Sequence, residues 1–411
     1  MTSTLRRLAQ SAQSTAVRTL YRLRGKAARE NALPQRTLVL RDHAAVQIET
    51  RMPVEAGELL KENWVVQNLS DPDHFNHFLA HIFHPGKVNP DLPVLLLVPG
   101  MLCNGNFFRV SPQETNFRNL RSPSSFANAL AYEGFNVVTV NPRYSRWIYT
   151  RYVEGKLGVK NFFSDAVDFE RLVGDLAFYM DAALGLSGAS SAAVLGFSLG
   201  GMELMYYLAT RRADPRLSHA VFMGAPVEFS SRQTLVMLLT LYNWLAKYSP
   251  LRHYHALELT ARNLIPLKQV LTKLPPEIIA GIPLADELFN SEQIRPEEII
   301  PFITYVIEPM PSPLITFLIQ TAARKEFLSQ DSETKILPEL VRCGVPALVV
   351  GGDRDGLVSA TSNQRLFSAL GSPQKTLKII GETGHLDLVA GLKFMEMVQA
   401  VVDFIPPKKS A

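Results

Sequence analysis

The chain has 411 residues, 47% of them hydrophobic and 19% charged, with a formal net charge of +4 and two cysteines. That length fits two to three average domains or one large domain carrying an insertion, and the hydrophobic content excludes a disordered chain. The charge is too small to argue for a nucleic-acid partner. Cys103 and Cys343 stand in no ligand spacing, so neither a disulfide framework nor a structural zinc is implied, and a reducing, cytoplasmic setting is the expectation.

The positive surplus is concentrated at the start. Arg6, Arg7, Arg18, Arg22, Arg24, Lys26 and Arg29 all precede the first acidic residue, Glu30, and Leu5, Leu8, Ala12, Ala16, Leu20 and Leu23 recur among them near the helical period. A secretory signal needs a continuous apolar stretch that this arm lacks. Three readings stay open: a solvated arm, a surface that attaches peripherally to anionic lipid, and an organelle transit peptide. The most apolar windows further on, Thr234 to Ala246 and Pro309 to Ala323, are too short to span a bilayer.

From about residue 75 strand-like runs alternate with helical patterns, as in a mostly parallel sheet covered by helices on both faces. Strands are expected at Phe75 to Phe83, Pro93 to Val98 and Phe135 to Val140, with a helix at Ser122 to Glu133 between the last two. A long helix at Ser164 to Leu186 leads to a strand at Ala192 to Phe197, a helix at Leu199 to Arg211 and a strand at His219 to Met223. From Pro226 to Leu340 the pattern turns helical, apolar and punctuated by proline. Alternation resumes with strands at Val345 to Val350 and Thr376 to Ile380, and helices at Ala360 to Leu370 and Leu386 to Phe404. The expected organisation is a basic arm (1–35), an α/β core (36–225), a helical cap inserted into it (226–340) and the rest of the core (341–406).

Gly196-Phe197-Ser198-Leu199-Gly200 is a Gly-x-Ser-x-Gly sequence set between a strand and a helix. Such a turn strains the serine and pushes its hydroxyl into the open, while the glycines let backbone pass closely, so Ser198 is the candidate nucleophile. Backbone N–H groups must face the oxyanion that such a serine generates. Leu199 at the helix start and Met101 in the Pro99-Gly100-Met101-Leu102 loop are the candidate donors. Of nine histidines, His385 follows a strand in a glycine-containing loop and suits the base. An acid is expected between Ser198 and His385. Asp355, in Gly351-Gly352-Asp353-Arg354-Asp355-Gly356-Leu357-Val358, is preferred because Leu357 and Val358 return the chain to the core; Asp353 and Glu228 are the alternatives. His74, His77, His81 and His84 would share one face of a helix, but a strand splits them, so no metal site and no cofactor is expected.

These motifs together resemble the α/β-hydrolase superfamily over about Phe75 to Phe404. His385-Leu386-Asp387-Leu388-Val389-Ala390-Gly391 and the stretch from Ser125 to Trp147 are similar to the acid lipase family. The Gly-Phe-Ser-Leu-Gly-Gly run is similar to hydrolases of medium- and long-chain esters. Pro99-Gly100 departs from the His-Gly of acid lipases and resembles polyhydroxyalkanoate synthases, which carry cysteine where this chain has Ser198. The resemblance implies a Ser-Asp-His serine hydrolase of lipophilic carboxylic esters or thioesters, of lipase or esterase type. Acyl transfer to an alcohol or thiol on the same residues, and lipid binding without catalysis, are the competing readings. Leu235 to Trp244 and Leu314 to Ile319 in the insertion are apolar enough either to pack on the core or to enclose an acyl chain and touch a membrane.

Overall fold

In the computed structural model the described residues are 37–40, 43–53, 59–73, 75–83, 92–110, 125–149, 167–211, 214–228, 287–290, 292–294, 305–308, 310–331 and 333–407, with a few single positions between 273 and 302. The basic arm and the apolar run Leu235 to Trp244 lie outside them, as do His74 and His84. No helix among the described residues is long and apolar enough to cross a membrane.

A ten-stranded sheet runs in the order β1-β2-β3-β4-β6-β5-β7-β8-β9-β10. Its strands are β1 Thr37–Leu40, β2 His43–Pro53, β3 Leu60–Asn68, β4 Asn76–Phe83, β5 Val94–Val98, β6 Asn136–Val140, β7 Ala192–Phe197, β8 Leu217–Met223, β9 Ala347–Gly352 and β10 Lys375–Ile380. The first four form an antiparallel meander, and β4 joins β6 antiparallel. From β6 through β10 every pairing is parallel.

The central strands are apolar on both faces because both faces are covered. Alternate residues of β5 divide between two cores: Val94, Leu96 and Val98 enter one, Leu95 and Leu97 the other. The first core takes the helices Phe169–Ser187 and Leu199–Arg211, and the second takes Phe126–Tyr132 and Phe394–Phe404. The helix Phe169–Ser187 starts where the Asp168 side chain accepts the N–H of Arg171 at 2.9 Å and stops at left-handed Gly188.

Three features depart from the sequence pattern. The alternation becomes legible only at residue 75, yet β1, β2 and β3 precede it. After Leu60, β3 carries the polar run Lys61, Glu62 and Asn63, which is buried in the sheet between β2 and β4. The expected final helix is two, Asp387–Ala390 and Phe394–Phe404, broken where extended Gly391 lies against the Asp387 backbone. Inside the expected insertion, the helix Ser312–Arg324 buries Leu314, Ile315 and Leu318 in the first core and stacks Phe317 on Phe169 at 4.4 Å. That apolar run packs on the core.

Candidate active site

The C-terminal ends of parallel strands share one edge of a sheet, and loops there can meet residues far apart in sequence. At the end of β7 the chain turns into the helix Leu199–Arg211 through Ser198, whose φ is +52°. A left-handed serine costs on the order of 1–3 kcal/mol and persists only where its surroundings enforce it. Here the Ser198 N–H donates to the Met223 carbonyl at 2.9 Å, and its own carbonyl accepts the Gly201 N–H at 2.9 Å. The turn is tight enough that a Cβ on Gly196 would stand 2.3 Å from the Gly200 carbonyl oxygen, so only glycine fits. Ser198 itself is half-buried.

The loop after β5 lies against this turn. A Cβ on Gly100 would come within 3.0 Å of the Ser198 Cβ and 2.9 Å of the Phe197 ring. Met101 follows, half-buried, and then Leu102 with φ +60°. Leu199 is the first residue of its helix, so its N–H has no place in the helical ladder. Both expected donors thus belong to backbone next to the serine. Residues 306 to 308, in the expected insertion, reach the same loop: the Glu308 N–H donates to the Leu102 carbonyl at 2.7 Å, and the Asn104 N–H to the Val306 carbonyl at 3.0 Å. The buried Glu308 carboxylate also accepts the Asn104 side-chain amide at 2.8 Å. No sequence motif marks these contacts, which join residues about two hundred positions apart.

His385 is buried with Asp355. Its Nδ1 lies 2.8 Å from Asp355 Oδ2, and the other oxygen, Oδ1, accepts the N–H groups of Leu357 at 2.8 Å and Val358 at 2.7 Å. The carboxylate is therefore fixed from both sides, and it holds the imidazole with Nε2 pointing away. That Nε2 is buried and has no hydrogen-bond partner among the described residues. The imidazole packs 4.9 Å from the Phe197 ring and against left-handed Gly224, where a Cβ would stand 3.2 Å from its Cε1. The other two acids lie elsewhere. Exposed Asp353 accepts the Thr383 N–H at 3.3 Å, and half-buried Glu228 pairs with Arg365.

The histidine loop has a second carboxylate that the sequence reading passes over. Asp387 Oδ2 accepts the N–H of Gly384 and that of Asn290, both at 2.7 Å, tying the loop to the segment around Asn290. Burial pushes the Asp387 carboxyl up to about 6, although those two N–H groups oppose the shift. Met101 and Leu288 pack on Leu357 and Val358, an apolar cluster beside Asp355.

Of the histidine group, His77 and His81 lie on β4, both buried. His77 approaches Asp71 and Asp175, and ligand atoms of the three fall within 4.8 Å of one another, as in a metal site. Arg143 already supplies the cation there, with Nε 2.6 Å from Asp175 and Nη2 2.8 Å from Asp71. Two carboxylates already bridged by one guanidinium, with a second arginine on Asp71, leave no room for a divalent ion.

A mostly parallel sheet with helices on both faces, and a strained serine between β7 and its helix, define an α/β-hydrolase fold. The chain has this fold. It is similar to a candidate lipase from Sulfolobus solfataricus, with TM-score 0.55 and 16% identity over 90% of this chain and 97% of that one. It is similar also to the enol-lactonase from Burkholderia xenovorans, with TM-score 0.51 and 14% identity over 80% of this chain and 96% of that one. The sequence matches no protein-family model, and no curated protein matches it.

Proposed function

We propose that the protein is a serine hydrolase of carboxylic esters with lipophilic acyl groups. The observation that carries this reading is the buried Asp355–His385 pair, with Nε2 unbonded among the described residues, at the sheet edge that also holds strained Ser198. Ser198 attacks the ester carbonyl while His385 Nε2 takes the hydroxyl proton, and Asp355 stabilises the imidazolium without taking a proton itself. The N–H groups of Met101 and Leu199 receive the negative charge on the tetrahedral oxygen. His385 then passes its proton to the leaving alcohol, and a water activated at the same Nε2 releases the acid. In structures without substrate, the bond between serine and imidazole is often long and tightens only on binding.

The apolar contacts of Met101, Leu288, Leu357 and Val358 favour a lipophilic acyl chain. Wild-type protein is expected to hydrolyse p-nitrophenyl esters and to be labelled by a fluorophosphonate on Ser198. Ser198→Ala should lose both, with turnover down by roughly 10⁴-fold or more. An alanine variant as fast as wild type across acetyl to palmitoyl esters would sink the reading.

The depth of the pair, at 2% and 0% side-chain exposure, favours a second reading. A site that excludes water can pass the acyl group to an alcohol or thiol instead. Supplying acyl-CoA with candidate acceptors and finding only free acid would dismiss it.

A further inference from the structure

Gly100 poses a mechanical problem. A side chain there would collide with Ser198 and Phe197, so the position needs glycine, yet glycine leaves the next peptide plane the freest to rotate. That plane carries the Met101 N–H. In a planar trans peptide the C=O and N–H point in opposite directions, so whatever holds the Gly100 oxygen also aims the Met101 N–H. Rotation of this one plane would turn the amide away from the serine.

Among the described residues, two donors hold the Gly100 oxygen. One is the N–H of Cys103 within the loop, at 3.2 Å, and the other is the hydroxyl of Tyr144, also at 3.2 Å. Tyr144 reaches the loop from the turn after β6, and its ring is buried in the first core. The turn is rigid: the Ser145 N–H donates to Pro142 at 2.8 Å, and neighbouring Arg143 is locked between Asp71 and Asp175. Burial, with Glu203, Cys103 and Glu308 nearby, pushes the Tyr144 phenol well above its ordinary value, so it stays a donor across the working pH range.

We propose that Tyr144 is a positioning residue for the oxyanion site: its hydroxyl fixes the plane of the Gly100–Met101 peptide and so aims the Met101 N–H at the tetrahedral oxygen. The proposal rests on the serine-hydrolase reading above. It assigns Tyr144 no contact with substrate. Its effect should therefore appear in the transition state, where the oxygen becomes charged, and hardly in ground-state binding.

The test is Tyr144→Phe, which keeps the ring and removes the hydroxyl. Loss of a whole oxyanion donor costs about 10²–10³ in rate; with Cys103 still holding the carbonyl, kcat is expected to fall about ten- to thirty-fold and KM to change by less than about two-fold. Affinity for a trifluoromethyl ketone, which forms a tetrahedral oxyanion on the serine, should fall by the same factor as kcat. Tyr206→Phe removes a tyrosine hydroxyl bonded at 2.7 Å to Glu170, away from the loop, and should change neither. Replacing Tyr144 by 4-aminophenylalanine, which keeps a donor at that place, should restore both and provides the reading if the phenylalanine variant does not fold. Unchanged kcat in Tyr144→Phe, a rise in KM alone, unaltered ketone affinity, or an aminophenylalanine variant as slow as the phenylalanine one would each overturn the proposal. Those results leave wild type active. A wild type that turns over no ester and takes no fluorophosphonate overturns the hydrolase reading as well.

Discussion

Among the described residues, the buried Arg143 and His385 are each held by aspartate, and the two arrangements are finished differently. Beneath the helix Phe169–Ser187, Arg143 is gripped by Asp71 and Asp175, while Arg171 adds bonds to Asp71 and to Asp73. The guanidinium also lies 5.1 Å from the Phe75 ring centroid. Burial opposes the charge on Arg143, but the two carboxylates outweigh it and push its pKa up. At the other site, Asp355 is as thoroughly held by Leu357, Val358 and His385, yet the base keeps one buried nitrogen without a partner among the described residues. A closed network fixes a fold. An arrangement left open on one atom can move a proton.

The sharpest way to break that contrast is Asp355→Asn. An amide can still accept from Leu357 and Val358, but it presents the wrong partner to the imidazole and stabilises no imidazolium. Ester turnover should fall by about 10³–10⁴-fold with little change in Tm. Asp353→Asn and Glu228→Gln should stay within a few-fold of wild type in the same assay, because these carboxylates are engaged with Thr383 and Arg365. Equal losses from Asp353→Asn and Asp355→Asn would remove Asp355 from its proposed role.

Arg143→Met inverts the pattern. It leaves Asp71 and Asp175 as buried carboxylates without their main counter-charge, which typically costs about 3–5 kcal/mol. Denaturant melts should show that loss, while kcat per folded molecule stays within several-fold of wild type. A stable Arg143→Met protein with kcat abolished would mean that the network does more than hold the fold and that the turn carrying Tyr144 depends on it.

Much of the candidate site's geometry was legible because its signals are local. The elbow is a strand, five residues and a helix in one stretch, and the contact of Asp355 with its own loop follows from Leu357 and Val358 two and three residues on. The contacts that hold the loops in place could not be read in this way. Tyr144 with Gly100, Glu308 with Leu102 and Asn290 with Asp387 are backbone–polar bonds between distant segments, and none leaves a periodicity or a motif. The meander failed for a related reason: Lys61, Glu62 and Asn63 are buried by their neighbours in space, against their own polarity. Gly391 was legible as a glycine, but the break it makes depends on the Asp387 backbone beside it.

The smallest expected effect separates the regions by pH. His81, on the strand that joins the meander to the parallel sheet, is pushed down to about 4 by burial, with Asn136 opposing the shift. In the unfolded chain it titrates near 6.5, so between those values the unfolded state binds more protons. Its contribution is full above about pH 6.5 and is lost as pH falls towards 4, by about 3 kcal/mol. Asp387 has the opposite sign: raised to about 6, it favours the folded state at low pH and loses that contribution as pH climbs through 6. His81→Gln should therefore flatten the loss of stability from pH 6.5 to 4, leaving the fall contributed by His77, whose burial lowers it in the same direction. Urea melts at half-unit pH intervals would show this. A His81→Gln profile parallel to wild type would mean that the imidazole is protonated in the folded state and that the meander opens to water at β4.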